Sequence, residues 1–226
     1  GATSAPAKPP VLSCRRLTYY YETSASPVIH DLELSVQSGE LLAIVGGNGA
    51  GKSTLLMLLA GLLTPKRGKV LLDGKDIRKI KDQALYRSIG YLPQHPLAYF
   101  LQDTVEDELR EAANRSVLPD ADKRVSHVVE RFGLEPLLPM HPHDLSGGER
   151  QKAAFACVLL SGPKVLLLDE PTKGVDPLAK EEWGRLLQTL CRENTAVVIV
   201  THDIEFAAQY ASRCALLFDG EIVSEG

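Results

Sequence analysis

The stretch "LLAIVGGNGAGKSTLLMLL", Leu41 to Leu59, decides the fold. An apolar run typical of a strand buried on both faces is followed by a glycine-rich turn and then by an apolar run typical of a helix. The turn contains the pattern G-x-x-x-x-G-K-[ST], with Gly46, Gly51, Lys52 and Ser53 at its fixed positions. Because a predicted strand and a predicted helix flank the pattern as it requires, we interpret the turn as a phosphate-binding loop rather than a chance glycine-rich connection.

The chemistry of such a loop follows from its bare backbone. Glycines let successive N–H groups turn towards phosphate oxygens, and the helix that begins at Lys52 adds the positive end of its dipole. We expect the Lys52 ammonium to reach the β- and γ-phosphates of a nucleotide and the Ser53 hydroxyl to ligate Mg²⁺. The residues predicted to bind the nucleotide here are Gly46, Asn48, Gly49, Ala50, Gly51, Lys52, Ser53 and Thr54.

Composition excludes several classes of protein. The chain has 226 residues, 44% of them hydrophobic, and a net charge of -4. Nucleic-acid-binding proteins are usually basic, so we expect no nucleic acid as a partner. No apolar run is long enough to cross a bilayer. Four cysteines stand singly, without the spacing of zinc or redox pairs, and are predicted to fill the core as reduced thiols. The first ten residues, "GATSAPAKPP", are predicted to be a flexible leader.

Apolar periodicity predicts the organisation of the rest of the chain. Strand and helix patterns alternate in the first and last thirds, which predicts a mostly parallel sheet with helices on both faces. The middle third is helical and is predicted to be an inserted lobe. The chain ends in a predicted hairpin, "CALLFDGEIVSEG", with Asp219-Gly220 at its turn. Ligands of such sheets bind beyond the carboxyl ends of the strands, so polar residues there are the candidates for chemistry.

Two acids end the apolar strand of "KVLLLDEP". Asp169 would be costly at the end of a buried strand without a cation to face, and an acid in this place in nucleotide hydrolases orients Mg²⁺. Glu170 follows at once and is placed to act as a general base towards an attacking water. Two solvated acids at a strand end are the ordinary alternative, but the phosphate loop favours the catalytic interpretation.

Two further strand ends carry weaker signals. His202 ends the strand of "AVVIVTHD" and is predicted to hydrogen-bond a γ-phosphate and the attacking water, although a lone histidine is ordinarily structural. Gln94 follows the strand of "IGYLPQHP" and is predicted to contact Mg²⁺ or water, with an ordinary loop glutamine as the alternative.

The stretch "LSGGERQ", Leu145 to Gln151, places two glycines at the start of a predicted helix, at a cost of about 1 kcal/mol each relative to alanine in a helix interior. With the phosphate loop, Gln94, "LLLDE" and His202 in the same order, the chain resembles the nucleotide-binding subunit of ATP-binding cassette (ABC) transporters from about residue 11 to its end. The "LSGGE" signature is highly specific to that family. "DEPTKGVDP", Asp169 to Pro177, is more similar to the energy-coupling-factor importers of vitamins and metals, because most exporters have Ser-Ala-Leu-Asp here.

The resemblance implies an α/β fold of the P-loop NTPase (RecA-like) class. Its core would be a mostly parallel sheet, with an N-terminal antiparallel β subdomain and an inserted helical subdomain. A single ABC ATPase domain would span residues 11–226, with its core at about 11–95 and 163–226 and the helical subdomain at about 96–162.

The resemblance also implies a head-to-tail dimer with a second ATPase subunit or domain, identical or different, that encloses two ATP molecules. Ser146 and the N–H groups of Gly147 and Gly148 would bind the γ-phosphate on the other subunit's loop, and side chains there would block its approach. Asp176 would lie on a loop that crosses the interface. Tyr21 would stack on adenine, with Tyr20 as the rival.

For the whole protein, the resemblance implies an ATP-hydrolysing subunit that powers an energy-coupling-factor importer at the cytoplasmic face of the cell membrane. ATP and Mg²⁺ would be its cofactors. A transmembrane coupling protein and a substrate-binding membrane component would be its partners. The segment after Gln94 would dock the coupling protein through Leu97, Tyr99, Phe100 and Leu101, unless these residues belong to the core. We also expect the chain to be one domain of a longer, possibly tandem, protein.

Two other classes of function are alternatives to an importer ATPase. A soluble ABC ATPase with a mechanical role in translation, DNA repair or chromosome organisation is the main alternative. No heptad-bearing insert separates the phosphate loop from the signature, which argues against the chromosome type, while a tandem translation factor stays open. A small-molecule P-loop kinase would lack the signature and the pair of Asp169 and Glu170.

Overall fold

The computed structural model describes residues 7–226, so most of the predicted ten-residue leader lies outside the described residues. The strands in this range are β1 (Leu12–Tyr19), β2 (Ile29–Val36), β3 (Leu41–Val45), β4 (Arg67–Leu72), β5 (Lys75–Asp76), β6 (Ile89–Leu92), β7 (Val165–Asp169), β8 (Ala196–Thr201), β9 (Arg213–Phe218) and β10 (Glu221–Glu225). The α-helices are α1 (Lys52–Leu59), α2 (Asp82–Ser88), α3 (Val105–Arg115), α4 (Ala121–Phe132), α5 (Gly147–Leu159), α6 (Pro177–Arg192) and α7 (Ile204–Tyr210).

The strands form two sheets. The larger sheet has the order β10-β9-β3-β8-β7-β6, in which β10 is an antiparallel edge strand and the other neighbours run parallel. The smaller sheet is antiparallel, with the order β2-β1-β4-β5. Helices α3, α4 and α5 lie in the chain between β6 and β7. The fold class predicted from the sequence is therefore confirmed.

The large sheet separates two hydrophobic cores. Along β3, Leu41, Ala43 and Val45 belong to the core that contains residues of α3 to α7, whereas Leu42 and Ile44 belong to the core shared with α1 and the small sheet. This division follows from the two-residue period of a strand, which sends successive side chains to opposite faces. The continuous apolar runs in the sequence reflect burial on both faces.

Several element ends differ from the predictions. The run "KSTLLMLLAGLL" predicts a helix from Lys52 to Leu63, but α1 ends at Leu59, because the N–H of Leu62 bonds to the carbonyl of Met57 and closes the helix with a Schellman motif. The run "VLSCRRLTYYY" predicts a strand as far as Tyr21, but β1 ends at Tyr19. The predicted terminal hairpin is present as β9 and β10, and Asp219 and Gly220 at its turn both have a positive φ.

Of the four thiols predicted to fill the core, one is buried and three are partly buried. Cys14 is buried, and burial raises the pKa of its thiol to about 12. This is the behaviour expected of a core-filling thiol rather than a reactive one. None of the helices within residues 7–226 combines the length and the apolar character needed to cross a membrane.

Candidate nucleotide-binding and hydrolysis site

The phosphate loop connects β3 to α1 at the carboxyl edge of the large sheet. Gly51 closes the loop with φ 96°, and a Cβ built on it would lie 2.9 Å from the carbonyl oxygen of Val28. Both the backbone conformation and the close approach therefore require glycine at this position. A Cβ at Gly47 or Gly49 would meet no described atom within 4 Å, so the backbone there is open to a ligand.

Lys52 begins α1 and turns its side chain back over the loop. Its Nζ donates hydrogen bonds to the carbonyl oxygens of Gly46, at 2.6 Å, and Gly47, at 3.3 Å. The same atom lies 3.5 Å from Glu170 Oε1, and both side chains are 7% exposed. The ammonium group thus lies between the loop and the acid that follows β7.

Asp169 is the last residue of β7 and is 4% exposed. Its Oδ1 is buried and has no hydrogen-bond partner among the described residues. Burial raises the pKa of Asp169, and the neighbouring Ser53 hydroxyl opposes that rise. A buried carboxylate oxygen beside a hydroxyl is an oxygen-rich environment of the kind that Mg²⁺ prefers. The residues present therefore fit the predicted metal.

Glu170 has a left-handed backbone, with φ 48°, which is uncommon for a residue other than glycine. Its Oε1 lies 2.9 Å from His202 Nδ1, and its Oε2 accepts a hydrogen bond from the Thr201 hydroxyl at 3.2 Å. The backbone N–H of His202 also donates to Oε2, at 3.4 Å. Lysine, threonine and histidine groups thus hold this carboxylate in one orientation, at a backbone conformation typical of strained functional sites.

The structure brings in residues that the sequence analysis did not single out. Thr201 is fully buried, and its hydroxyl also accepts a hydrogen bond from the backbone N–H of Asp203 at 3.0 Å. Asp203 caps α7 and pairs with Lys180 Nζ at 2.6 Å. Thr201 lies in the quoted "AVVIVTHD" stretch, so a polar residue at the carboxyl end of a buried strand was the available signal.

Gln94 lies at the same edge of the sheet as the acids. It comes two residues after the end of β6, and the parallel pairing of β6 with β7 places Leu92 beside Leu168. The adjacent His95 also acts on Asp169, since its charge lowers the pKa of that carboxyl group. The register of the two strands therefore brings the Gln94 segment to the same edge of the sheet as Asp169.

The signature begins helix α5. Ser146 caps the helix because its hydroxyl oxygen accepts a hydrogen bond from the Glu149 N–H, and the Ser146 N–H donates to Glu149 Oε1 in return, which completes a capping box. A Cβ at Gly147 or Gly148 would meet no described atom of this chain within 4 Å. The fold of this chain therefore leaves space for side chains at both glycines, and no described residue fills that space.

The predicted adenine-stacking residue lies beside the loop helix. The Tyr21 hydroxyl is 3.1 Å from Thr54 Oγ1, and its ring makes an edge contact with the Tyr19 ring at a centroid distance of 5.0 Å. Tyr21 is 39% exposed. The rival, Tyr20, instead lies under Lys66 Nζ, 5.5 Å from its ring centroid. Tyr21 is thus the tyrosine in direct contact with the nucleotide-binding helix.

The loop that contains Asp176 leads into α6. Asp176 is exposed and caps this helix, because its Oδ1 accepts a hydrogen bond from the Ala179 N–H at 3.0 Å. Asp176 therefore caps α6 while its side chain stays at the surface. Gly147 and Gly148 of the signature are also exposed.

The predicted docking residues after Gln94 divide into two groups. Tyr99 and Leu101 are 45% and 77% exposed. Phe100 is 7% exposed and belongs to the core, and Leu97 packs against that core, so the alternative of a core position holds for these two residues. Tyr99 instead lines a cleft of about 410 Å³ together with Leu62 and Tyr86, both exposed.

Comparison with known proteins agrees with this geometry. Residues 29–173, well over half of the chain, match the profile of the ABC transporter family. A putative ABC transporter ATP-binding protein of Bacillus thuringiensis subsp. konkukian is 47% identical over 213 residues, covering 94% of this chain but 39% of that relative. The energy-coupling factor transporter ATP-binding protein EcfA of Methanothermobacter thermautotrophicus is 34% identical over 220 residues, covering 96% of this chain and 70% of EcfA.

Two solved structures have the same fold. CbiO1 of Clostridium perfringens, described as part of the ABC transporter complex cbiONQ, has a TM-score of 0.85 and 33% identity, covering 96% of this chain and 88% of that structure. The ATP-binding cassette MJ0796, a dimer bound to ADP and phosphate after hydrolysis, has a TM-score of 0.84 and 27% identity, covering 95% and 97%. The chain therefore belongs to the ABC transporter family and is an ATP-binding cassette of its ATPase class.

Proposed function

We propose that this cassette hydrolyses ATP with Mg²⁺ to power an importer of the energy-coupling-factor type. The observation that carries the proposal is the pair of acids after β7. Asp169 has a buried oxygen without a hydrogen-bond partner among the described residues, and Glu170 is held beside Lys52. Asp169 is therefore suited to bind a cation, and Glu170 is suited to accept a proton beside the phosphate-binding loop.

The nucleotide and the metal would share the carboxyl edge of the large sheet. Mg²⁺, when bound, would neutralise phosphate charge, and Ser53, Asp169 and Gln94 would hold it. Lys52 would exchange its contacts with the carbonyls of Gly46 and Gly47 for phosphate oxygens. The loop residues of the sequence analysis, including Asn48, Gly49, Ala50 and Thr54, would surround the phosphates.

Glu170 would act as the general base that accepts a proton from the attacking water. Its carboxylate is kept in place by the Thr201 hydroxyl and by His202 Nδ1. This contact leaves Nε2 as the ring atom of His202 available to a γ-phosphate. His202 would then position the base and bind phosphate at the same time, because it follows β8, the strand next to β7.

The site would be completed by a second cassette, identical or different. The open space at Gly147 and Gly148 supports this part of the proposal, because nothing within the described chain requires glycine at either position. Ser146 and the first N–H groups of α5 would bind the γ-phosphate held by the other subunit. Asp176 is exposed and would contact the partner, and Tyr21 would stack on the adenine of the nucleotide bound to its own loop.

Coupling to transport would use the surface near Gln94. Tyr99 and Leu101 are exposed apolar residues in the segment that follows Gln94, beside the cleft lined by Leu62 and Tyr86. Exposed apolar groups of this kind mark protein-binding surfaces. We propose that a transmembrane coupling protein docks here, with a separate substrate-binding membrane component, which would place the cassette at the cytoplasmic face of the membrane.

The importer type is supported by names and by one sequence feature. EcfA is named as an energy-coupling-factor protein and CbiO1 as part of a transporter complex. The chain also has "DEPTKGVDP" where most exporters have Ser-Ala-Leu-Asp. The relatives described above are named as transporter components, so a mechanical role in translation or chromosome organisation is not favoured.

The proposal can be tested by purifying the full protein from membranes in mild detergent. We expect a polytopic membrane protein to co-purify in a fixed ratio and to increase ATP hydrolysis. Leu101→Glu should weaken its recovery, whereas Val223→Glu, at an exposed apolar residue on β10, should not. Recovery with ribosomes or DNA, and with no membrane protein, would contradict the proposal.

A further inference from the structure

The small sheet carries a second cleft, separate from the phosphate loop. It has a volume of about 650 Å³ and lies between β1, β2 and β4. Its charged lining consists of four strong cations, Arg15, Arg16, Arg67 and Lys69, together with Asp31 and His30. None of these residues belongs to the nucleotide site described above.

The four cations have no ion-pair partner within residues 7–226. His30 differs from them because its Nδ1 lies 2.8 Å from Glu221 Oε1. Arg15 on β1 is paired directly with Lys69 on β4, so two like charges stand opposite each other across the sheet. Such a pair destabilises an antiparallel sheet. The concentration of positive charge is notable in a chain whose net charge is -4.

A β-bulge brings a third cation into the cleft. The register of β1 against β4 shifts between Arg15 and Thr18, and Arg15 and Arg16 are successive exposed residues. Arg16 has a left-handed backbone with φ 49°, and a Cβ on the opposing Gly68 would lie 2.4 Å from the Arg16 carbonyl oxygen. A bulge changes the direction of the side chains on its strand, and a strained backbone persists only where the surrounding structure fixes it. The bulge therefore accounts for the presence of Arg16 beside Arg15 in the lining of the cleft.

We propose that this cleft is a binding site for an anion that carries two or more phosphate groups. Three guanidinium groups and one ammonium group suit such a ligand, because guanidinium binds phosphate through paired hydrogen bonds. Asp31 is the one carboxylate that lines the cleft, so the cations keep an excess of three positive charges. A singly charged anion would leave most of that excess uncompensated.

The same chemistry is offered by a free polyphosphate and by several neighbouring headgroups of an anionic phospholipid surface, each of which carries one phosphate group. Binding is therefore measured in two ways. Inorganic pyrophosphate is titrated calorimetrically into protein saturated with Mg²⁺ and ADP, which fills the phosphate loop. Separately, the protein is sedimented with vesicles of phosphatidylglycerol and phosphatidylcholine, and with vesicles of phosphatidylcholine alone.

The decisive variant is Arg15→Glu, which places an acid opposite Lys69. Binding of the anion should weaken by about tenfold or more, since a charged hydrogen bond is lost and a repulsive charge is added. Thermal stability should be unchanged or higher, because the opposed like charges become an ion pair. Lys79→Glu makes the same charge change at an exposed residue outside the cleft and should retain binding.

Each outcome has a defined meaning. Pyrophosphate binding that Arg15→Glu weakens by about tenfold or more identifies a free phosphate ligand, and binding only to phosphatidylglycerol vesicles identifies a lipid headgroup. Should Arg15→Glu fail to fold, Arg15→Gln and Arg67→Gln provide the same comparison with smaller changes. The proposal is overturned if neither probe binds the unmodified protein, or if Lys79→Glu weakens binding as much as Arg15→Glu does.

Discussion

Lys52 Nζ lies 3.5 Å from Glu170 Oε1, and each of the two side chains is 7% exposed. The pair joins the phosphate loop to the strand that carries both acids. A buried charge that loses its partner is left with its desolvation cost, so removing either residue alone should destabilise the folded state. The two groups proposed to contact phosphate and water are thus also coupled to each other.

Lys52→Ala should lose affinity for labelled ATP and should also unfold more easily in the absence of nucleotide. We expect a loss of about 2–4 kcal/mol in the free energy of unfolding, because Glu170 would be left charged and buried without Lys52. Lys52→Ala combined with Glu170→Gln should lose less than the single variant. Urea unfolding measures each value.

The control for this cycle is the exposed pair of Lys164 and Asp73, whose charged atoms are 3.0 Å apart. Lys164→Ala should change the free energy of unfolding by less than about 1 kcal/mol. If the Lys52 and Glu170 substitutions were simply additive, the coupling between them would be disproved.

Glu170→Gln should bind ATP normally and hydrolyse it slowly. A general base contributes about 10²–10⁴-fold to a rate, and the amide cannot accept the proton. The variant should accumulate as an ATP-bound dimer on size-exclusion chromatography. Glu193→Gln, at a residue whose side chain is 53% exposed, should keep full turnover. Rapid hydrolysis by Glu170→Gln would remove Glu170 from the role of base.

Gly148→Ala should leave the folded cassette intact and weaken its ATP-dependent dimer. A Cβ at this position meets nothing described within 4 Å, so the free energy of unfolding should stay the same or rise by up to about 1 kcal/mol. Gly184→Ala should behave in the opposite way. Its Cβ would lie 2.4 Å from the Tyr210 ring, so stability should fall by about 1–3 kcal/mol without a direct effect on dimerisation. Thermal unfolding and light scattering separate the two effects, and an unchanged dimer of Gly148→Ala would contradict the composite site.

Tyr21→Ala should lower the affinity for ATP by about 1–3 kcal/mol through the loss of base stacking. Tyr21→Phe keeps the ring and removes only the 3.1 Å contact with Thr54, so its affinity should stay close to that of the unmodified protein. Fluorescence titration measures both variants. A larger loss from Tyr20→Ala than from Tyr21→Ala would assign the stacking role to Tyr20.

Much of the fold was readable from local patterns. The phosphate loop needs a strand before it and a helix after it, and continuous apolar runs such as "VLLLD" are typical of strands buried on both faces. The end of α1 differs from the prediction because the apolar run continues through Leu63, while the backbone bonds that close the helix come earlier. Apolar periodicity alone cannot distinguish a helix from its closing turn.

The candidate site was less completely readable, since it depends on contacts between distant segments. Thr201 stands beside His202 in the sequence, but its bond to Glu170 exists only because β8 pairs with β7. Phe100 and Leu101 are adjacent and both apolar, yet only tertiary packing decides that Phe100 joins the core and Leu101 stays exposed. The cationic cleft likewise depends on the register of β1 against β4.

The division of the large sheet between two cores has a consequence for local opening. If the helices on one face detach transiently, β3, β7 and β8 remain covered by the other core and keep both neighbouring strands. Their amide protons should then exchange with solvent only when the whole cassette unfolds, whereas the edge strands β6 and β10 should exchange through smaller fluctuations. Hydrogen–deuterium exchange should therefore be slowest in the central strands of the large sheet, as far as their carboxyl ends. The acids and the phosphate loop would thus be attached to the last part of the molecule to open.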